Sequence, residues 1–255
     1  MRKLLSLPRF PARHTQADHR ARDYFIAGFT FVAVTICLTT DGFAPKAMQY
    51  VLAGFGWLFL LYFLKDECAS VRTQVAVAVS FAVAGEYFAS VYMQGYIYRF
   101  GNVPAYVPPG HGLVYLTAVA LGRSGLFQRH ARRIALLVVA ICGLWAGWGA
   151  SGYAERQDLI GAVLFAVFIG YLLYGRSPMV YLGAFFITSW LELVGTTAGT
   201  WAWAVIDPAS KLPQGNPPSG VAAWYCLVDA VAIAGAQPAM HAMERARARL
   251  LGRAG

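Results

Sequence analysis

The chain has 255 residues, of which 58% are hydrophobic, 15% aromatic and only 13% charged, with a formal net charge of +9. A soluble domain is roughly 45–50% apolar and about 25% charged, so this composition excludes a disordered chain, a coiled coil and an ordinary soluble enzyme. It predicts an all-α, polytopic integral membrane bundle whose partner is the lipid bilayer. The positive charge sits at the termini and in short loops between apolar runs, which argues against nucleic acid as a partner.

In chain order, residues 1–23 read as a basic cytoplasmic tail carrying Arg2, Lys3, Arg9, Arg13, Arg20 and Arg22. Its apolar run is too short and broken for a signal-peptide core. Eight apolar spans follow, at about 24–40, 47–64, 71–92, 111–128, 134–152, 158–175, 179–199 and 220–241, and then a second basic tail over 242–255. With the N-terminus inside, seventeen Lys and Arg fall on the inner side and four on the outer. That split predicts eight spans, both termini cytoplasmic and a bacterial-type inner membrane. Cys37, Cys68, Cys142 and Cys226 lack ligand-like spacing, so neither a disulfide nor a zinc site is expected.

The chain repeats itself. Residues 85–112 and 191–220 each carry a Glu, an aromatic-x-aromatic pair, an Asn and a Pro-Pro. The matched residues are Glu86 with Glu192, Tyr96-x-Tyr98 with Trp201-x-Trp203, Asn102 with Asn216, and Pro108-Pro109 with Pro217-Pro218. Spans one to four (24–128) then map onto spans five to eight (134–241). An even repeat unit keeps its orientation, so the expected arrangement is a parallel 4+4 duplication about an axis along the membrane normal.

Three acids are read as lying inside spans: Glu86, Glu192 and Asp229. An ionisable group there costs on the order of 2.5–3.5 kcal/mol even on a lenient scale, so each needs a partner, a cavity or a proton. The glutamates fall in the outer half and Asp229 about 14 Å deep. Two readings stand. Ser90, Thr188, Ser189 and Thr196 sit one turn away and would pin the glutamates as neutral interhelical links. Alternatively the acids form a polar site at the repeat interface, with Glu86 and Glu192 as acid and base and Asp229 orienting one of them. His111 opens the fourth span. It either caps that helix and bridges to loop backbone, or joins the acids in a mixed nitrogen–oxygen metal site; no metal or cofactor is expected. Tyr92, Tyr96, Tyr98, Phe100, Tyr106, Trp201 and Trp203 form an interfacial belt or line an apolar pocket able to stabilise a cation. The expected substrate-binding set is Tyr96, Tyr98, His111, Trp201, Trp203, Asn102 and Asn216. No Gly-rich phosphate loop, HExxH, GxSxG or span Lys occurs.

The stretches GEYFASVYMQGYIYRFGNVPAYVP and GTTAGTWAWAVIDPASKLPQGNPPSG resemble the two signature regions of the membrane carotenoid 1,2-hydratases, the bacterioruberin-type hydratases. Small membrane terpene cyclases are similar in style. The resemblance implies acid-initiated chemistry on an isoprenoid. A carboxylic acid in an apolar site stays protonated at neutral pH and can protonate a double bond, and water held by a second carboxylate then quenches the cation. A proton-coupled transporter and a non-catalytic membrane subunit are the alternative classes. Substrate identity and oligomeric state are not legible from these residues.

Overall fold

The computed structural model describes residues 19–251. Most of the tail expected over 1–23, and the last residues of that over 242–255, lie outside the described residues. The described residues fold as eight helices and one short strand pair: α1 (His19–Phe43), α2 (Met48–Leu64), α3 (Ala69–Glu86), β1 (Tyr96–Tyr98), α4 (Val107–Arg123), α5 (Gly125–Ala150), α6 (Leu159–Tyr174), α7 (Pro178–Thr197), β2 (Trp201–Trp203) and α8 (Ala222–Leu251). A π-helical segment, Tyr87–Tyr92, extends α3. Among the described residues five helices are long and apolar enough to cross a membrane: Ala21–Phe43, Ala69–Tyr92, Gly125–Ala150, Pro178–Thr197 and Ala222–Leu250. Met48–Leu64 and Leu159–Tyr174 are shorter apolar helices. Large apolar side chains such as Phe25, Tyr50, Leu58, Leu61, Phe88 and Leu144 ring the exterior. In water such a surface would be an aggregation liability, whereas hydrocarbon is its natural solvent.

Several boundaries differ from the hydropathy reading. The fourth run, expected over 111–128, is divided. Pro108 and Pro109 open α4 in its first turn, where their missing N–H groups cost nothing. Ser124 adopts an extended conformation that ends α4, and its Oγ accepts from the Phe127 amide at 3.3 Å to cap α5. Apolar Leu126 and Phe127 mask that one-residue break in a hydropathy window. Accordingly α5, expected from 134, begins at Gly125 and bends at His130. Residues 242–251, read as a tail, continue α8 past Pro238.

The core is organised around α4 and α7. Nearly every residue of α4 from Gly112 to Ala120 is buried, so it is surrounded by other helices. Small residues allow its close approach to α7: a Cβ on Gly183 would lie 2.4 Å from the Ala118 carbonyl oxygen, and one on Gly122 would lie 2.7 Å from that of Met179. Helices in hydrocarbon associate by such backbone proximity, because apolar side chains gain little by leaving lipid. The other intimate pair is α3 with α8, where Gly235 faces Val77. Thus α3, α4, α7 and α8 form the centre, and α1, α2, α5 and α6 pack around it.

The count of three acids inside spans is corrected by α1, which buries Asp23 near its start and Asp41 near its end. Arg123, which falls near the inner end of the fourth expected span, is only 3% exposed. Its guanidinium grips Asp23 through Nε at 3.0 Å and Nη2 at 2.6 Å, and Glu67 through Nη1 at 3.0 Å and Nη2 at 2.6 Å. Arg22 adds a bond to Glu67 at 2.6 Å. One fork therefore joins α1, the α2–α3 turn and α4 at the end of the bundle opposite the strands. Burial draws the Glu67 carboxyl upward, but the hydrogen bonds and charges of Arg123 and Arg22 outweigh it and hold Glu67 below the usual carboxylate range.

Arg123→Leu leaves two buried acids short of their main partner and is expected to destabilise the protein by about 3–5 kcal/mol, seen as a lower thermal midpoint in detergent. Because the Glu67 carboxyl titrates lower folded than unfolded, its stabilisation is complete above the ordinary value of 4.5 and is lost as pH falls through the lowered folded value. Glu67→Gln is expected to flatten that acid limb in a series of midpoints measured against pH.

Candidate functional site

The site lies at the strand end of the central helices. Helix α3 passes through the π-helical turn to Gln94, which has φ 56°. Helix α7 is followed by Gly199, with φ 71°, and the Thr200 amide returns to the Gly195 carbonyl at 2.9 Å. Each left-handed residue lies two positions before a strand. The strands pair antiparallel, with Tyr96 opposite Trp203, Ile97 opposite Ala202 and Tyr98 opposite Trp201. Alternation along a strand puts the four large rings on one face and turns Ile97 and Ala202 to the other. Ring centroids are 4.8 Å apart for Tyr96 and Trp203, and 5.8 Å apart for Tyr98 and Trp201.

That face of rings supplies donors to the two glutamates. Glu86 Oε2 accepts from the Tyr96 hydroxyl at 2.6 Å and the Tyr98 hydroxyl at 2.8 Å, while Oε1 lies 2.8 Å from His111 Nε2 on α4. Glu192 Oε2 accepts from the indole nitrogens of Trp201 at 3.1 Å and Trp203 at 3.0 Å, while Oε1 accepts from the Tyr225 hydroxyl on α8 at 2.9 Å. Each carboxyl group thus has two aromatic donors on one oxygen and a ring from the next central helix on the other. The outer rings of the two sets, His111 and Tyr225, stack with centroids 5.8 Å apart. Glu86 is 8% and Glu192 3% exposed. Among the described residues His111 is the only basic group paired with either acid. Burial, and then the charge of Glu86 when it is ionised, push the Tyr96 and Tyr98 phenols well above their ordinary range, so both stay protonated.

The structure brings together Glu86, Glu192, Tyr96, Tyr98, His111, Trp201 and Trp203 from the expected set. His111 does not serve as a cap or bridge to loop backbone; it holds a carboxylate. Ser90 and Thr196 do not pin the glutamate side chains. Their hydroxyls return to the backbone carbonyls of Glu86 and Glu192, both at 2.7 Å, as one-turn bonds. Buried Thr188 and Ser189 make no hydrogen bond through their hydroxyls. Asp229 does not orient either glutamate: it is buried one turn below Tyr225, and its Oδ2 has no hydrogen-bond partner. Asn216 accepts from the Trp203 amide at 2.9 Å, which fixes the strand rather than reaching the carboxyl groups. Asn102 donates to Gln49 at 3.0 Å. Among the described residues no three His, Cys, Asp or Glu side chains converge as metal ligands.

Two participants escaped the sequence reading. Tyr225 carries the third bond to Glu192, and its one legible signal is an aromatic ring a turn above Asp229. Asp41 organises the neighbouring loop: it accepts from Tyr106 at 2.8 Å and Gln49 at 3.0 Å, while Arg99 binds its backbone carbonyl and that of Ala44. Arg156, read as an outer-loop cation, clamps the second loop through the carbonyls of Gln214 at 2.7 Å and Trp203 at 2.8 Å. No protein-family model matches this sequence, and neither a curated protein nor a solved structure matches it.

The Trp201 indole lies against Gly195, where an added Cβ would come within 2.0 Å of the ring. Gly195→Ala must push the indole aside and off Glu192, with an expected destabilisation of about 1–3 kcal/mol. A lower thermal midpoint with altered tryptophan fluorescence checks this, and an unchanged emission spectrum would contradict it.

Proposed function

We propose that this protein is an integral membrane enzyme acting on an isoprenoid or similar lipidic substrate, in which a carboxylic acid protonates a carbon–carbon double bond. The observation that carries the reading is the pairing of two buried carboxyl groups within one aromatic box, with no Lys or Arg attached to either among the described residues. Two carboxylates sharing a buried site do not both ionise, so such a pair separates into proton donor and acceptor.

The partners suggest the division of labour. An indole N–H only donates, so Glu192 Oε2 is always an acceptor. The partners of Glu86 are two phenols and an imidazole, each able to donate or accept. Glu86 therefore gains or loses a proton by reversing hydrogen bonds rather than breaking them. In this reading Glu86, with His111, delivers the proton to one alkene carbon and the other carbon becomes a tertiary cation. Ring faces of Tyr96, Trp201 and Trp203 stabilise it. Water then attacks the cation and gives its proton to Glu192, for net addition of one water as in the hydratases. Loss of a neighbouring proton would instead yield an isomer or a cyclised product.

A parallel 4+4 duplication accounts for the construction. It is supported by Glu86 and Glu192, by the two back-bonding hydroxyls at Ser90 and Thr196, by the left-handed Gln94 and Gly199, and by the strand register. It also explains why α3–α8 and α4–α7 are the intimate pairs, since the duplication exchanges them. The charge distribution supports an inner-membrane orientation with both termini cytoplasmic and the strand end outside. One observation favours a proton-coupled carrier instead: Asp229, a buried carboxyl with an unpartnered oxygen, lies apart from the glutamates.

The test expresses the chain in a lycopene-producing bacterium and analyses extracted lipids by liquid chromatography and mass spectrometry. The expected result is a carotenoid heavier by one or two waters, or an isomer of equal mass, with turnover reduced by about 10²–10⁴-fold in Glu86→Gln. Full turnover in that variant would overturn the assignment. An unchanged lipid profile, with ΔpH-driven uptake lost in Asp229→Asn, would establish the carrier.

A further inference from the structure

The loop between α5 and α6 grips the strand that carries two of the Glu192 donors. Two of its charged residues, Arg156 and Asp158, spend their side chains on backbone groups. Asp158 is 3% exposed, and three backbone amides take up its carboxylate. Oδ1 accepts from Gly161 at 2.8 Å, which caps α6, and from Gly215 at 2.7 Å, while Oδ2 accepts from Ser219 at 2.7 Å. Glycines leave room for that approach: a Cβ on Gly149 would lie 2.9 Å from the Asp158 Cβ, and one on Gly215 would lie 3.0 Å from its Cγ. The amides of Gly215 and Ser219 bracket Asn216, whose Oδ1 accepts from the Trp203 amide at 2.9 Å. Arg156 donates to the Trp203 carbonyl at 2.8 Å and to the Gln214 carbonyl at 2.7 Å. Both backbone polar groups of Trp203 are therefore held from outside the strand pair. A two-stranded ribbon is marginal by itself, and strands of three residues need such support. The Trp203 indole then reaches Glu192 Oε2 at 3.0 Å. Hydrogen bonds and short stretches of chain thus connect Asp158 to Glu192 without a gap.

We propose that Arg156 and Asp158 are positioning residues for Glu192, acting through the Trp203 indole. Asp158 fixes the 215–219 turn and with it Asn216, which holds the strand amide. Arg156 holds the strand carbonyl. Loss of either side chain lets β2 shift and draws the indole N–H away from the carboxyl group. The Glu192 oxygen that should receive the proton in the proposed reaction then loses its orientation. This deepens the acid–base reading and rests on it for any effect on turnover. The placement of the indole is tested without turnover.

The experiment records the indole N–H signals of the full chain, labelled with nitrogen-15 tryptophan, in phosphatidylcholine nanodiscs. The chain has 7 Trp, and the Trp203 signal is the one lost in Trp203→Phe. The Trp190 indole, bonded to the Thr35 hydroxyl at 2.9 Å, is assigned in the same way and reports the fold elsewhere. Two variants are compared with the parent. Asp158→Asn sets an amide N–H against backbone N–H groups. Arg156→Gln removes a guanidinium from a half-buried loop position and leaves the core untouched. In each, the Trp203 proton is expected to move upfield and to exchange with deuterium about tenfold faster, the factor for one hydrogen bond, while Trp190 stays in place. An unmoved Trp203 signal in either folded variant, or equal movement of Trp203 and Trp190, overturns the proposal. Turnover in the lycopene-producing host is expected to fall by about 10²-fold in both variants, the cost of displacing a reacting group by about 1 Å. A displaced indole alongside full turnover would leave the positioning standing and remove Glu192 from the chemistry.

Discussion

Everything at the strand end depends on one requirement: two carboxyl groups removed from water must be given hydrogen-bond donors by the protein itself. In hydrocarbon no solvent is at hand to repair an omission, and an unmatched polar group costs several kcal/mol. Tyr96, Tyr98 and His111 meet the requirement for Glu86, and Trp201, Trp203 and Tyr225 meet it for Glu192. These six partners come from two strands and two helices that are remote in sequence. Their convergence requires the antiparallel register, and that register requires the reversals at Gln94 and Gly199 and the clamp of Arg156 on the second loop.

The opposite end solves a similar problem by other means. There Arg123 matches Asp23 and Glu67 with charge, and Arg22 adds a further bond. Helix α4 carries both solutions, with His111 in its first turns and Arg123 at its last residue. Two chemistries therefore sit at the ends of one buried helix. At the Arg123 end the two acids are matched by two guanidinium groups. At the strand end no Lys or Arg pairs with Glu86 or Glu192 among the described residues; their partners are phenols, indoles and one imidazole. This difference is why the strand end is the candidate for chemistry and the Arg123 end is a structural fastening.

The two glutamates are surrounded alike but not identically. Glu86 and Glu192 have equivalent surroundings, yet their donors differ in kind: phenols and imidazole on one side, indoles and a phenol on the other. Asn102 and Asn216 differ as well, since Asn216 accepts from the Trp203 amide while Asn102 donates to Gln49.

The sequence by itself determined the helical, apolar character of the chain, the approximate helix positions and the importance of Glu86, Glu192 and the aromatic-x-aromatic pairs. These were legible because hydropathy is a local property and an acid in an apolar run is conspicuous. Only the tertiary structure decided that Tyr225 completes the Glu192 shell, that Arg123 is buried against Asp23 and Glu67, and that Asp229 hydrogen-bonds neither glutamate. Each depends on which faces of distant helices meet. Small residues such as Gly122 and Gly183 control that meeting through close backbone approach, and composition or spacing along a single segment cannot reveal it.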